Sequence, residues 1–176
     1  MVKSEAFAIN LDADSWNNFL SSITKPNTYD ESCAWLFWDK PFCADHKVYV
    51  FPVHNVGLKG ESAQVSFQPE RREFQKVKET TKKLKLTKIG NVHTHVLTIA
   101  DLPISAECYP SETDLKYAQK FNDIIRGIVT VFFPKRGAIG QVVGIVWHNK
   151  YGRILKEDIQ TIENRSERFF MEVRGE

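Results

Sequence analysis

Apolar positions along the chain change period several times, and each change marks a new element. "EAFAIN" (5–10) predicts a short strand, and "DADSWNNFLSSI" (12–23) sets Ala13, Trp16, Leu20 and Ile23 on one helical face. After the break "TKPNTYD", the continuous apolar middle of "ESCAWLFWD" (31–39) predicts a buried strand, or a helix running into one. "HKVYVFPV" (46–53) and the alternating "AQVSF" (63–67) predict two more strands. "PERREFQKVKETTKKL" (69–84) predicts a surface helix with proline in its first turn. Its apolar stripe is Phe74, Val77, Thr81 and Leu84, and its lysines face water.

In the second half, "TKIGNVHTH" (87–95) predicts a strand and "SETDLKYAQKFNDII" (111–125) a helix with a Ser-x-x-Asp opening. "GIVTVFF" (127–133) and "IGQVVGIVWH" (139–148) predict strands, and "NKYG" a hairpin turn into "RIL". From Lys156 onward, Ile159, Ile162, Phe169, Phe170 and Val173 spaced among charges predict a last helix. Strands and helices interleave irregularly, with no repeat or linker. The expectation is an α/β chain of mixed α+β character, a mixed β-sheet with helices packed on it, in one domain spanning 1–176.

Composition narrows the function classes. A chain of 176 residues can bury roughly 70% of its unfolded surface in one core. Its net charge of +2 provides no global field toward nucleic acid or an anionic membrane, so specificity has to be local. Cys33, Cys43 and Cys108 are an odd set without a Cys-x-x-Cys pair, which fits a reducing compartment. The N-terminal stretch does not read as a signal peptide, and no run approaches the ~18 apolar residues of a membrane span. The expected location is the cytoplasm.

Two of the five histidines, His93 and His95, stand one residue apart at the end of an apolar run. On a strand, residues i and i+2 face the same way, so both imidazoles address one point. Asp114, in the first turn of the following helix, is a candidate third ligand; Ser111 and Asp114 also have the spacing of a capping box, which binds nothing. Two His and a carboxylate leave a tetrahedral zinc ion one position for water, the pattern of a catalytic rather than a structural site. The implied chemistry is hydrolysis of an amide or C–N bond. Such a mechanism needs a base, and spacing alone does not choose one among 22 acidic residues.

The segments "ESCAWLFW", "VHNVGLKGESAQVSFQPE", "GNVHTHV" and "YPSETDLKYA" occur in an order that resembles the JAMM/MPN+ metalloprotease family, particularly its small prokaryotic JAB-domain members. The likeness covers roughly residues 27 to 155. It implies the MPN/JAB fold, which is cytidine-deaminase-like, with zinc on His93, His95 and Asp114. It also implies Glu31 as general acid/base and Ser111 as the residue that stabilises the oxyanion. The implied activity is that of a deubiquitinase-like isopeptidase, in which a metal-activated water cuts the bond after the C-terminus of a ubiquitin-like or sulfur-carrier β-grasp protein. Val96 stands where the family has proline, and Ala34 where it has glycine. Fifteen residues separate His95 from Ser111, about twice the family interval, and this insert can gate or block the site.

Alternatives are excluded or retained by counting. Amidohydrolase barrels that begin with His-x-His need ~250 residues, and a cupin needs an acid where Ala100 stands. A non-catalytic MPN-like scaffold and a DNA-associated member of the superfamily remain as alternatives. The basic run "TKKLKLTK" lacks interleaved aromatics, so the expected partner set is a β-grasp substrate, with no nucleic acid and no membrane.

Overall fold

The computed structural model describes residues 5–39, 45–56, 68–99, 110–152, 154–155 and 168–173. Strands β1 (Glu5–Leu11), β2 (Cys33–Trp38), β3 (Asp45–Val53), β4 (Thr87–Thr98), β5 (Ile125–Phe133), β6 (Gln141–His148), β7 (Ile154–Leu155) and β8 (Arg168–Val173) build one mixed sheet. Helices α1 (Ala13–Ile23), α2 (Arg71–Lys83) and α3 (Glu112–Phe121) interrupt them. The strand order is β7-β6-β5-β4-β2-β3-β1-β8. Among the described residues, only β1/β3 and β4/β5 pair in parallel. The second of these pairs is a βαβ unit through α3, and it carries the chemistry described below.

Asp12 caps α1 by accepting the Ser15 amide at 3.0 Å, and the Ser15 hydroxyl accepts the Val50 amide at 3.1 Å, tying the helix to β3. Trp16, Phe19 and Ile23 are fully buried against Leu36, Val92, Val129 and Trp147. Each contributes about 2 kcal/mol by leaving water. On the other face, Val77 of α2 packs with Phe37 and Val53 in a smaller cluster. Gly90 is required by close approach: a Cβ there would lie 1.6 Å from the Ile125 carbonyl oxygen, and the backbone cannot retreat without breaking the β4/β5 pairing.

Several expectations change. The 69–84 segment is helical only from Arg71, since Pro69 bridges Asn55 and Glu70 is the N-cap. Leu84, expected in the stripe, lies past the last turn and is exposed. The helix expected over 111–125 stops at Phe121 because Asn122 adopts the left-handed conformation (φ 52°), and Ile125 already begins β5. The final helix is not found where the structure describes the tail: Arg168–Val173 is a strand paired antiparallel to β1, from Glu5↔Val173 to Asn10↔Arg168. Charged residues spaced among apolar ones mimic a helical period there, whereas the backbone groups of β1 are satisfied by a strand. The strand expected over 63–67 lies outside the described residues. Among the described residues, no helix is long and apolar enough to cross a membrane.

Candidate metal centre

From Gly90 onward β4 alternates as the period-2 argument requires: Val92 and Val96 pack with the α1 core, while Asn91, His93 and His95 turn to the other face; Ile89 joins the core side because the pairing with β2 shifts register at that point. α3 begins over that face. Its N-cap Ser111 and its third residue Asp114 form a reciprocal capping box. The Asp114 amide donates to Ser111 Oγ at 3.2 Å, and Asp114 Oδ2 accepts from the Ser111 amide at 2.8 Å and hydroxyl at 2.7 Å. The cap therefore holds one carboxylate oxygen and leaves Oδ1 to face β4.

There it meets the imidazoles. Asp114 Oδ1 lies 3.1 Å from His93 Nε2, and Oδ2 lies 3.9 Å from His95 Nε2. The two rings stand 5.2 Å apart, and one ligand atom from each of the three residues lies within 4.8 Å of the others. Although close to the carboxylate, His93 Nε2 is off line for a hydrogen bond and, with Nδ1, is buried without a hydrogen-bond partner. That contact suits two donors aimed at a common ion. Tetrahedral zinc with bonds of about 2.0–2.1 Å sets its ligands roughly 3.3 Å apart, near the His93–Asp114 separation.

The electrostatics fit a cation. Burial holds the His93 imidazole below its ordinary value, against the pull of Asp114, so it is neutral and its lone pair is available. Burial works to raise the Asp114 carboxyl. The His93 ring and the donors of Ser111 outweigh it and hold the group well below the carboxylate range. The three residues thus offer two imidazole nitrogens and one carboxylate, and they can hold a metal ion.

Glu31 is brought to the same place. Its segment is pinned between the two histidines, because the Ser32 amide donates to Thr94 Oγ1 at 2.8 Å and the Thr94 amide to the Ser32 carbonyl at 2.9 Å. Asn55 adds a third tether, its Nδ2 donating to the Glu31 carbonyl at 3.0 Å. Burial pushes the Glu31 carboxyl up to about 6; His95 opposes the rise and Asp114 adds to it. All five sequence-derived residues, Glu31, His93, His95, Ser111 and Asp114, therefore converge. Ser111 is engaged with Asp114 and sits exposed at the helix start.

Sequence reasoning missed what lies beneath α3. Arg126 and His148 are register partners on β5 and β6, and both are buried. Arg126 donates from Nη1 to the Asp114 carbonyl at 2.6 Å and from Nε to Asn91 Oδ1 at 3.1 Å. Its counter-ion is Asp123, 3.5 Å away, which also meets Lys88 and Asn91. A charge inside the apolar run "IIRGIVTVFF" was the available signal. This network fixes the backbone of the helix turn that carries Asp114. A separate cleft lined by Tyr29, Thr98, Ile99, Phe133 and Pro134 opens at the far ends of β4 and β5 and holds none of the ligands.

No family model matches this chain, and no curated protein matches it either. Among solved structures, the chain is similar to the solution structure of protein DSY2949 from Desulfitobacterium hafniense, a structural genomics target. That likeness has 18% identity, a TM-score of 0.46, and covers 80% of this chain and 90% of the other. Likeness at that level carries no inference about function.

Proposed function

We propose that the chain is a zinc-dependent peptidase of the JAMM/MPN+ type. The observation that carries the reading is the convergence of His93, His95 and Asp114 from two separate segments, with Glu31 pinned beside them and its carboxyl raised to about 6. A zinc ion on those three ligands supplies Lewis acidity, acidifying water and polarising a scissile carbonyl. Glu31 accepts the proton of the attacking water and delivers it to the leaving amine, a task for which a carboxyl poised near neutral pH is suited. Ser111 orients Asp114 through its amide and hydroxyl, and a turn of that hydroxyl toward substrate provides an oxyanion donor. The substrate class follows from the sequence resemblance: the bond after the C-terminus of a ubiquitin-like or sulfur-carrier β-grasp protein, in the cytoplasm.

The test is cleavage of a β-grasp protein fused through its C-terminus to a reporter. Zinc-loaded wild type should release the reporter, and Glu31→Gln should retain zinc and lose turnover by at least about a hundredfold. Cleavage by Glu31→Gln at the wild-type rate refutes the assignment of the base. A wild type that folds but binds no metal favours the second reading, a scaffold that docks partners.

A further inference from the structure

The three exposed aromatic side chains among the described residues gather on one side of the molecule. Tyr117 and Phe121 lie one turn apart on α3, with rings 6.1 Å apart and 7° from parallel. Tyr151 belongs to the turn between β6 and β7, which is bound to the end of α3 by the Lys150 ammonium donating to Asn122 Oδ1 at 2.8 Å. Each of the outer rings is flanked by a lysine: Lys120 lies 5.5 Å from the Phe121 centroid and Lys150 lies 5.1 Å from that of Tyr151.

The pattern continues inward. Lys88 stands between two rings, 5.6 Å from the Phe121 centroid and 5.1 Å from that of Trp35, and the Trp35 and Phe74 rings pack nearly perpendicular with centroids 4.6 Å apart. Lys78 then covers Phe74 at 5.1 Å. Five lysine–ring contacts thus fall on this side. The charge agrees: residues 71–88 hold eight basic and two acidic side chains, net +6, against +2 for the whole chain, so the remaining positions are net −4. The basic run 81–88 holds no aromatic residue, and α2 has Phe74 alone. Folding supplies the other rings from β2, α3 and the β6–β7 turn.

We propose that this face binds single-stranded nucleic acid. Flat exposed rings give bases of any identity a stacking surface, and ammonium groups between the rings meet the phosphates at the spacing of the chain. An acidic polypeptide satisfies the charge but gives three exposed rings no flat partner. Duplex is disfavoured because its base faces are already stacked. Lys88 is paired with Asp123, so phosphate contact falls to Lys78, Lys120 and Lys150. Three such contacts give a log–log salt slope of roughly −2 for a single strand. Phe121 closes α3 at its C-terminal end, seven residues from Asp114 in the first turn.

The experiment is fluorescence anisotropy of the full chain with labelled oligothymidylate and oligouridylate of about 12 nucleotides, matching the site sizes of stacking platforms. Wild type should bind at low salt with that slope. Phe121→Ala and Tyr151→Ala, at exposed positions, should keep the wild-type circular dichroism and unfolding midpoint and weaken binding about tenfold each. Phe121→Trp should restore it, and Lys120→Glu should weaken it further. Wild type that fails to bind either strand overturns the proposal. So does Phe121→Ala binding as tightly as wild type, and so does heparin or poly-glutamate binding that neither oligonucleotide displaces.

Discussion

Replacing Glu31 by Gln should make the metal-free protein more stable while removing its activity. The carboxyl sits half-buried beside Asp114, and its pKa is pushed from the ordinary 4.5 up to about 6. A raised carboxyl pKa means that the folded chain holds this proton more tightly than the unfolded one. Stability is therefore lost as pH rises from about 4.5 through about 6. Above pH 7 the ionised group costs about 1 kcal/mol, the free energy equivalent of that rise reduced for its partial exposure to water. Glutamine keeps the shape without the charge. Urea unfolding at pH 8, with chelator present, should show Glu31→Gln more stable by about 1 kcal/mol, and at pH 4 the two proteins should coincide. Equal stability at pH 8, or a gain that does not shrink with acid, refutes the claim that burial strains this carboxylate.

The buried imidazoles act in the opposite direction. His93 and His148 are both held below the ordinary 6.5, mainly by burial. The unfolded chain takes up protons first, so metal-free Glu31→Gln should lose stability as pH falls through about 6.5. A flat urea midpoint between pH 7.5 and about 5 would contradict that burial. Arg126→Met leaves Asp123 buried with Lys88 and Asn91 and releases the Asp114 carbonyl. Unfolding stability should drop by about 3 kcal/mol and zinc affinity about tenfold or more. The double variant Arg126→Met/Asp123→Leu should recover stability but not zinc affinity; recovery of both would reduce Arg126 to a packing role.

The elements nearest the chemistry were legible because short-range rules decide them. Period 2 in "GNVHTHV" places His93 and His95 on one face whatever the surrounding topology, and Ser-x-x-Asp starts a helix from local hydrogen bonds alone. Features set by distant partners were not legible. Residues 168–173 are a strand because β1 lies alongside, and no pattern within them records that neighbour. The end of α3 was misplaced because Asn122 and the burial of Asp123 against Arg126 override an apolar continuation through Ile124 and Ile125. Convergence of Glu31 on the metal residues was implied only by resemblance. Its physical cause, the Ser32–Thr94 pair and the Asn55 tether, appears only once the strands are paired. The aromatic and lysine side chains of the nucleic-acid face come from β2, α2, β4, α3 and the β6–β7 turn, and no stretch of sequence shows their alternation.

The central claim is that one carboxylate and two imidazoles from separate segments hold a single ion. Calorimetric titration of zinc into chelator-treated protein addresses it most directly. The geometry predicts about one tight site per chain in wild type. His95→Ala and Asp114→Ala should bind at least about a hundredfold more weakly while unfolding at a comparable denaturant concentration. Zinc binding by Asp114→Ala with wild-type affinity would contradict the account, and so would a folded wild type that takes up none.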